Sequence, residues 1–274
     1  MIEELSEQRV GFIGCGAMAQ ALAGGLVAAG LPAERILGSD PDPGSRVTFE
    51  KSAGAATRAD NEDVVAESDL VVLAVKPAVV VPALEALAGS AALDERLWIS
   101  IAAGVPIAAL EGALPDGARV VRAMPNTPAL VGAAATALCA NPHATDADRA
   151  AASALFSAVG TTWEAPNEAM LDAVTGLSGS GPAYVFLFLE ALGDAGVRVG
   201  LPREAAFQLA FQTVYGAAKL ALESGLHPAA LKDRVCSPGG TTIAGLERLE
   251  ALGVRAALYE AVAAATARSR ELGS

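Results

Sequence analysis

Two glycine-rich stretches hold residue types that can grip anions. The first is Val10-Gly11-Phe12-Ile13-Gly14-Cys15-Gly16-Ala17-Met18-Ala19, a G-x-G-x-x-A pattern. Gly14 permits a tight turn, Gly16 has no side chain to obstruct a phosphate, and small Ala19 lets a following helix lie close to a sheet. At the helix start, Gly16, Ala17 and Met18 present unpaired N–H groups, a favourable seat for a pyrophosphate. A glycine pattern alone also occurs in turns that bind nothing. Here a β-rich run precedes it and a helical run follows, which selects the dinucleotide reading.

The second stretch is Cys236-Ser237-Pro238-Gly239-Gly240-Thr241-Thr242-Ile243. Paired glycines let backbone N–H groups converge at a helix start, an arrangement suited to a carboxylate. The hydroxyls of Thr241 and Thr242 add donors for a substrate nitrogen or oxygen. The same residues also make an ordinary helix-capping turn, and physics alone does not choose between the two.

Other polar groups sit where a sheet of this kind binds its ligands. Ser39-Asp40-Pro41 ends the second apolar run. Asp40 can hold ribose hydroxyls and repel a 2′-phosphate, which favours NAD, or it simply begins a turn with Pro41. Ser39, Arg46 and Arg58 can instead receive a phosphate, so the choice between NADP and NAD stays open. Val75-Lys76-Pro77, Ala102-Ala103-Gly104 and Met124-Pro125-Asn126 each end later runs. They offer, in turn, a cation, small residues on which a flat ring can lie, and an amide on a proline-stiffened mount. Gly176-Leu177-Ser178-Gly179-Ser180-Gly181-Pro182 reads as a loop joining two helices.

The elements that must position these groups follow from periodicity. Strands are expected at Arg9–Ile13, Arg35–Ser39, Leu70–Val75, Leu97–Ala102, Arg119–Met124, Ala135–Cys139 and Thr161–Glu164. Between them helices are expected at Ala17–Ala29, Gly44–Ala53, Asn61–Ala66, Pro82–Leu87, Pro106–Leu114 and Asp146–Ala158. Several strands are continuously apolar, as strands buried on both faces must be. The alternation implies an α/β fold with a doubly wound Rossmann-type sheet over residues 1–166. Beyond Asn167 the strand signal stops, and Leu171–Leu177, Gly181–Val197, Arg203–Ser224, Pro228–Val235 and Thr241–Ser269 read as helices. Residues 167–274 are therefore expected to form an all-helical domain. Its helices, such as Tyr184-Val185-Phe186-Leu187-Phe188-Leu189, are apolar on most faces. A helix of that kind must be covered on most faces, so a second subunit is expected to cover it, making at least a homodimer.

Composition narrows the classes. The 274 residues are 53% apolar but only 4% aromatic, and the net charge is −12. No cluster of Lys and Arg is present to neutralise nucleic-acid phosphates or anionic membranes. Three separated cysteines and two histidines offer neither a disulfide framework nor a zinc set. The acidic start MIEELSEQR lacks the apolar core of a secretory signal. The run Leu70–Leu87 is broken by Lys76, Pro77, Pro82 and Glu85, short of the ~18–20 apolar residues of a membrane span. A cytoplasmic protein in a reducing compartment is expected.

Taken together, the Gly14–Ala19 turn, Ala74-Val75-Lys76-Pro77, Arg122-Ala123-Met124-Pro125-Asn126-Thr127-Pro128, Gly176–Pro182 and His227-Pro228…Leu231-Lys232-Asp233…Cys236–Ile243 resemble the pyrroline-5-carboxylate reductase family. The resemblance runs over nearly the whole chain, and its last stretch is the most specific. It implies reduction of 1-pyrroline-5-carboxylate to proline with NADPH or NADH. It places the substrate at Gly240–Thr242, with Thr242 matching the family's hydroxyl and with Ser178 and Ser180 near the same pocket. It sets Asn61 on the adenosine side, and it implies an interlocked helical dimer, often assembled into a decamer. One departure stands out: where the family often has small polar or basic residues after the second strand, this chain has Asp40.

Reduction of a cyclic imine needs no His–Asp pair, and both histidines lie beside proline in expected loops (Pro142-His143, His227-Pro228). Two rivals remain. A β-hydroxyacid dehydrogenase would carry a Lys shortly after Gly181, whereas Pro182-Ala183-Tyr184-Val185 follows and no Lys appears until Lys219. A protein that binds a dinucleotide without turnover would have no use for the second polar glycine loop.

Overall fold

The computed structural model describes residues 2–89 and 93–273. Short, continuously apolar runs become the central strands. Among the described residues one sheet of eight strands forms: β1 (Val10–Ile13), β2 (Ile36–Ser39), β3 (Ala56–Arg58), β4 (Leu70–Leu73), β5 (Leu97–Ser100), β6 (Arg119–Met124), β7 (Ala134–Ala140) and β8 (Gly160–Glu164). The order is β3-β2-β1-β4-β5-β6-β7-β8, and all neighbours are parallel except β6 and β7. Every residue of β1, β2, β4 and β5 is buried, because helices cover both faces.

Those helices are α1 (Ala17–Ala28), α2 (Pro43–Ala53), α3 (Asn61–Ala66), α4 (Pro77–Glu85), α5 (Ile107–Gly112) and α6 (Asp146–Ser157). On one face Leu22 and Leu26 of α1, Phe49 of α2 and Phe156 of α6 pack with Phe12 and Val72. On the other, Leu84 of α4 and Leu110 of α5 pack with Trp98 and Val120. The indole N–H of Trp98 donates to the Leu93 carbonyl at 3.0 Å, so the largest core side chain leaves no orphan donor. The capping signals are local: Asp42 accepts from the Gly44 and Ser45 amides, and Thr145 with Asp148 forms a capping box at α6.

The second half holds α7 (Met170–Val174), α8 (Gly181–Arg198), α9 (Arg203–Ser224), α10 (Pro228–Val235), α11 (Thr241–Ala251) and α12 (Val254–Leu272). The chain divides into two compact units, one running to Ser180 and resuming at Ala263, the other spanning Gly181–Val262. Residues 167–180 thus pack with the sheet: Leu171 is fully buried in the same core as Trp98, and Glu168 pairs with Arg122 of β6 at 2.6 Å. In the helical unit α8 and α9 approach closely, since a Cβ on Gly193 would lie 2.8 Å from the Phe207 ring. That unit buries little apolar side-chain volume. Phe186 is 64% exposed, Leu187 67%, Tyr259 68% and Leu222 83%. No helix among the described residues is long and apolar enough to cross a membrane.

Several expected elements differ. Strand β3 carries no apolar run; its residues are exposed or half-buried at the sheet's edge. Strands β4 and β5 stop at Leu73 and Ser100, two residues early, which frees Val75 and Ala102 for loops. Helix α4 begins at Pro77 rather than Pro82, with a proline in the first turn where no N–H is needed. The single helix expected over Thr241–Ser269 is broken between Ala251 and Val254, where Gly253 takes φ +75°. The loop expected at Gly176–Pro182 is instead a π-helical turn, Thr175–Gly179, closed by the Ser180 amide on the Thr175 carbonyl at 2.8 Å, with α8 starting at Gly181.

Candidate functional site

The register aligns the carboxyl ends of five strands. Ile13 faces Ser39 on one side and Leu73 on the other, Leu73 faces Ser100, and Ser100 faces Arg122. The segments Gly14–Met18, Asp40, Val75–Pro77, Ala102–Gly104 and Met124–Asn126 therefore lie along one edge, the edge at which open α/β sheets bind ligands.

At its centre, Gly14 has φ +99°, and a Cβ there would lie 2.7 Å from the Ala74 carbonyl oxygen, so only glycine fits. Gly16 caps α1 in extended conformation and faces open space: nothing lies within 4 Å of where its Cβ would be. A bare backbone at a helix start, with room in front, is what a pyrophosphate requires. The turn is held from both sides. The Cys15 amide donates to Asp40 Oδ2 at 3.0 Å, and Gln20 Nε2 donates to the Cys15 carbonyl at 2.8 Å. The Cys15 thiol is pushed up to about 12 by burial first and by the nearby Asp40 second, which keeps it protonated and unreactive near neutral pH.

Asp40 serves the turn directly. Besides Cys15, it accepts from the Asp42 amide at 2.9 Å, and its carbonyl accepts from Arg46 at 2.6 Å. Asp40 is half-buried at the end of β2, and its observed contacts buttress the glycine turn. Ser39 is fully buried and donates to Asn61 Oδ1 at 2.7 Å, so it orients Asn61 from beneath. Arg58 pairs with Glu67 at 3.1 Å. Lys76 forms the N-cap of α4, and Gly104 takes φ +74° beside Leu272.

Asn126, read from the sequence as a group facing the cofactor, has its amide engaged inside the protein. It is 9% exposed, donates to the Ser178 carbonyl at 3.0 Å and accepts from the Ala135 amide at 3.0 Å. Ser178 in turn donates its hydroxyl to the Val174 carbonyl at 3.2 Å. Sequence reasoning passed over Glu168, which accepts from both Arg122 and the Ile107 amide and so ties β6 to the start of α5. Its only signal was a carboxylate shortly after the last strand.

In the helical unit, Gly239 has φ +66° and Gly240 caps α11, its amide donating to the Ser237 carbonyl at 3.0 Å. A Cβ on Gly240 would lie 2.3 Å from Ser237 Oγ and 3.1 Å from the Ser237 carbonyl oxygen, so a larger residue there would make the Ser237 side chain turn away. A cleft of about 500 Å³ opens beside this turn, bounded by Lys232, Gly239, Gly240, Ile243 and Glu247. Thr242 is half-buried and Thr241 exposed at the helix start. Among the described residues no group of three or more His, Cys, Asp or Glu side chains could hold a metal ion.

Comparison with known proteins adds a second line of evidence. Residues 168–272 match the family described as pyrroline-5-carboxylate reductase dimerisation, and residues 9–104 match NADP oxidoreductase coenzyme F420-dependent. The chain is 47% identical over 270 residues to a pyrroline-5-carboxylate reductase of Methanosarcina acetivorans, covering 98% of this chain and 99% of that one. It is 49% identical to that of Arabidopsis thaliana, covering 96% and 95%. Among solved structures, a pyrroline-5-carboxylate reductase from Coxiella burnetii superposes with TM-score 0.93 at 38% identity, covering 97% and 99%. One from Plasmodium falciparum, with NADP bound, superposes with TM-score 0.87 at 34% identity, covering 98% and 99%.

Proposed function

This chain belongs to the pyrroline-5-carboxylate reductase family, and from that premise we propose that it reduces 1-pyrroline-5-carboxylate to proline with hydride from NADPH or NADH. The observation that carries the reading is the pair of glycine-led helix starts, Gly14–Met18 on the sheet, where only glycine fits at Gly14, and Gly239–Thr242 on the helical unit, where Gly239 takes φ +66°. One suits a pyrophosphate and the other a small carboxylate.

In this reading the amides of Gly16, Ala17 and Met18 hold the pyrophosphate, and Asp40 with Asn61 meets the adenosine end. Val75–Pro77, Ala102–Gly104, Met124 and Pro125 flank the nicotinamide half, which supplies the hydride. The amides of Gly240, Thr241 and Thr242 take the substrate carboxylate, with Ser178 and Ser180 beside the ring. The imine nitrogen is protonated, the adjacent carbon gains the hydride, and the C=N π pair becomes the lone pair of the new amine. No strong acid is needed, because the imine is basic enough to protonate in water. Catalysis is then mostly positioning, with donor and acceptor carbons about 3–3.5 Å apart. The chemistry demands that the two helix starts serve one reaction centre, from one subunit or from two. The assembly proposed is a homodimer through the exposed helical faces, with a decamer as the larger form the resemblance implies, working in the cytoplasm.

The test is loss of 340 nm absorbance with pyrroline-5-carboxylate. Activity on a 3-hydroxy acid instead, or cofactor binding without turnover, would replace the proposal. Thr242→Ala should lower kcat about 10²-fold, the usual scale for one proton-handling group, while cofactor affinity holds. An unchanged kcat removes Thr242 from the mechanism.

A further inference from the structure

Strand β6 ends at Met124, and the next two residues belong to the edge where the cofactor is proposed to lie. Asn126 and Ser178 are 52 residues apart along the chain, yet two contacts seam the strand end to the π-turn at Thr175–Gly179. Asn126 does not cap the short helical turn Thr127–Val131 that follows it, because its side chain makes no capping bond. Instead the Nδ2 group donates to the Ser178 carbonyl at 3.0 Å, and Oδ1 receives the Ala135 amide at 3.0 Å. One planar amide thus joins the β6 end, the start of β7 and the π-turn. The second contact is steric. A Cβ on Gly179 would fall 2.7 Å from Met124 Cε, so the π-turn lies directly on the Met124 side chain. A π-turn is an uncommon backbone form that recurs at functional sites. Here it carries Ser178 and is capped by Ser180, whose amide donates to the Thr175 carbonyl at 2.8 Å.

We infer that Asn126 is a positioning residue: it sets the register between the nicotinamide-side segment Met124–Pro125 and the Ser178–Ser180 turn on the substrate side. The inference rests on the functional reading above, which gives those two segments their roles. In this role Asn126 is not itself a cofactor ligand. Its effect is on the geometry of transfer, because both ends of its amide are already engaged within the protein.

Asn126→Asp separates these roles. It keeps an oxygen for the Ala135 amide but sets a carboxylate against the Ser178 carbonyl, pushing the turn away. A displacement of about 1 Å lowers rates by up to ~10²-fold. The expected result is a kcat at least tenfold lower, a larger primary isotope effect on kcat with cofactor deuterated at the transferring position, and a cofactor Kd within twofold of wild type. Gly179→Ala perturbs the same seam from the other side through the flexible end of Met124, so it folds and should show the same pattern if Asn126→Asp fails to fold. A wild-type enzyme active on pyrroline-5-carboxylate beside either variant with wild-type kcat would overturn this inference alone. A cofactor Kd that worsens in step with kcat would overturn it too, by making Asn126 a ligand. A wild-type chain with no turnover would overturn the functional reading and this inference with it.

Discussion

Asp40→Asn changes one charge and almost nothing else. The side chain keeps its size, and its remaining oxygen can still accept from the Cys15 amide, 3.0 Å away in the native turn. Its new NH2 group would face the Asp42 amide donor to donor, where Asp40 now accepts at 2.9 Å. That loss, about 1 kcal/mol, falls equally on both cofactors and cancels in a ratio. The charge does not cancel, because only NADPH carries a 2′-phosphate. Unit charges about 4 Å apart interact by ~1 kcal/mol in water and ~4 kcal/mol at an effective dielectric of 20. Asp40 is half-buried at the protein rim, so screening leaves about 1–2 kcal/mol. The ratio of kcat/KM for NADPH over NADH should therefore rise about 5–30-fold, every 1.4 kcal/mol being about tenfold. Steady-state kinetics at 340 nm with each cofactor, at low and high salt, reads this directly. The gain should come from the NADPH limb and shrink in salt. A ratio within twofold of wild type, or a rise produced by loss of NADH activity alone, would leave Asp40 as a buttress of the glycine turn and nothing more.

Two further outcomes follow from buried groups. Burial first, then Asp40, raises the Cys15 thiol to about 12, and burial with the nearby Glu168 raises Cys139. At pH 8 a thiol reagent should modify at most Cys236 in the native protein and all three cysteines in denaturant; rapid native labelling of a second thiol would contradict this. Because the unfolded thiols ionise near 9 and the folded ones later, the stability these groups allow below that pH is lost as the pH climbs from about 9 towards 12. The Arg122–Glu168 pair gives the other outcome. Its side chains are 8% and 30% exposed, and Glu168 also accepts from the Ile107 amide. Arg122→Met should destabilise by roughly 2–4 kcal/mol, somewhat less than a fully buried pair broken on one side, and adding Glu168→Gln should recover part of that. Denaturant unfolding of the two single variants and the double variant checks it, and independent, additive losses would count against coupling.

The sheet was legible because its chemistry is local. Val10–Ile13, Leu70–Leu73 and Leu97–Ser100 are short apolar runs between glycines, prolines and charges, too short for a buried helix and suited to strands covered on both faces. The glycine turn was legible for the same reason, since Gly14 and Gly16 follow one strand and open one helix. Strand β3 was not, because its edge position leaves Ala56–Arg58 without an apolar signature. The break after Ala251 was hidden because a single glycine is tolerated inside a helix, and only its positive φ marks the end. Asn126 shows the limit most clearly. Its type and its proline-stiffened mount could be read, but one of its two partners lies 52 residues away. A side chain's use depends on which atoms reach it, and that is set by the whole fold.

The helical unit leaves Phe186, Leu187, Leu222 and Tyr259 more than half open to water. For such a surface, folding and association become one equilibrium, and the midpoint of thermal unfolding should climb with protein concentration. Dilution would then act on this chain as a denaturant does, loosening the Gly239–Thr242 turn while the sheet with its glycine cradle still holds.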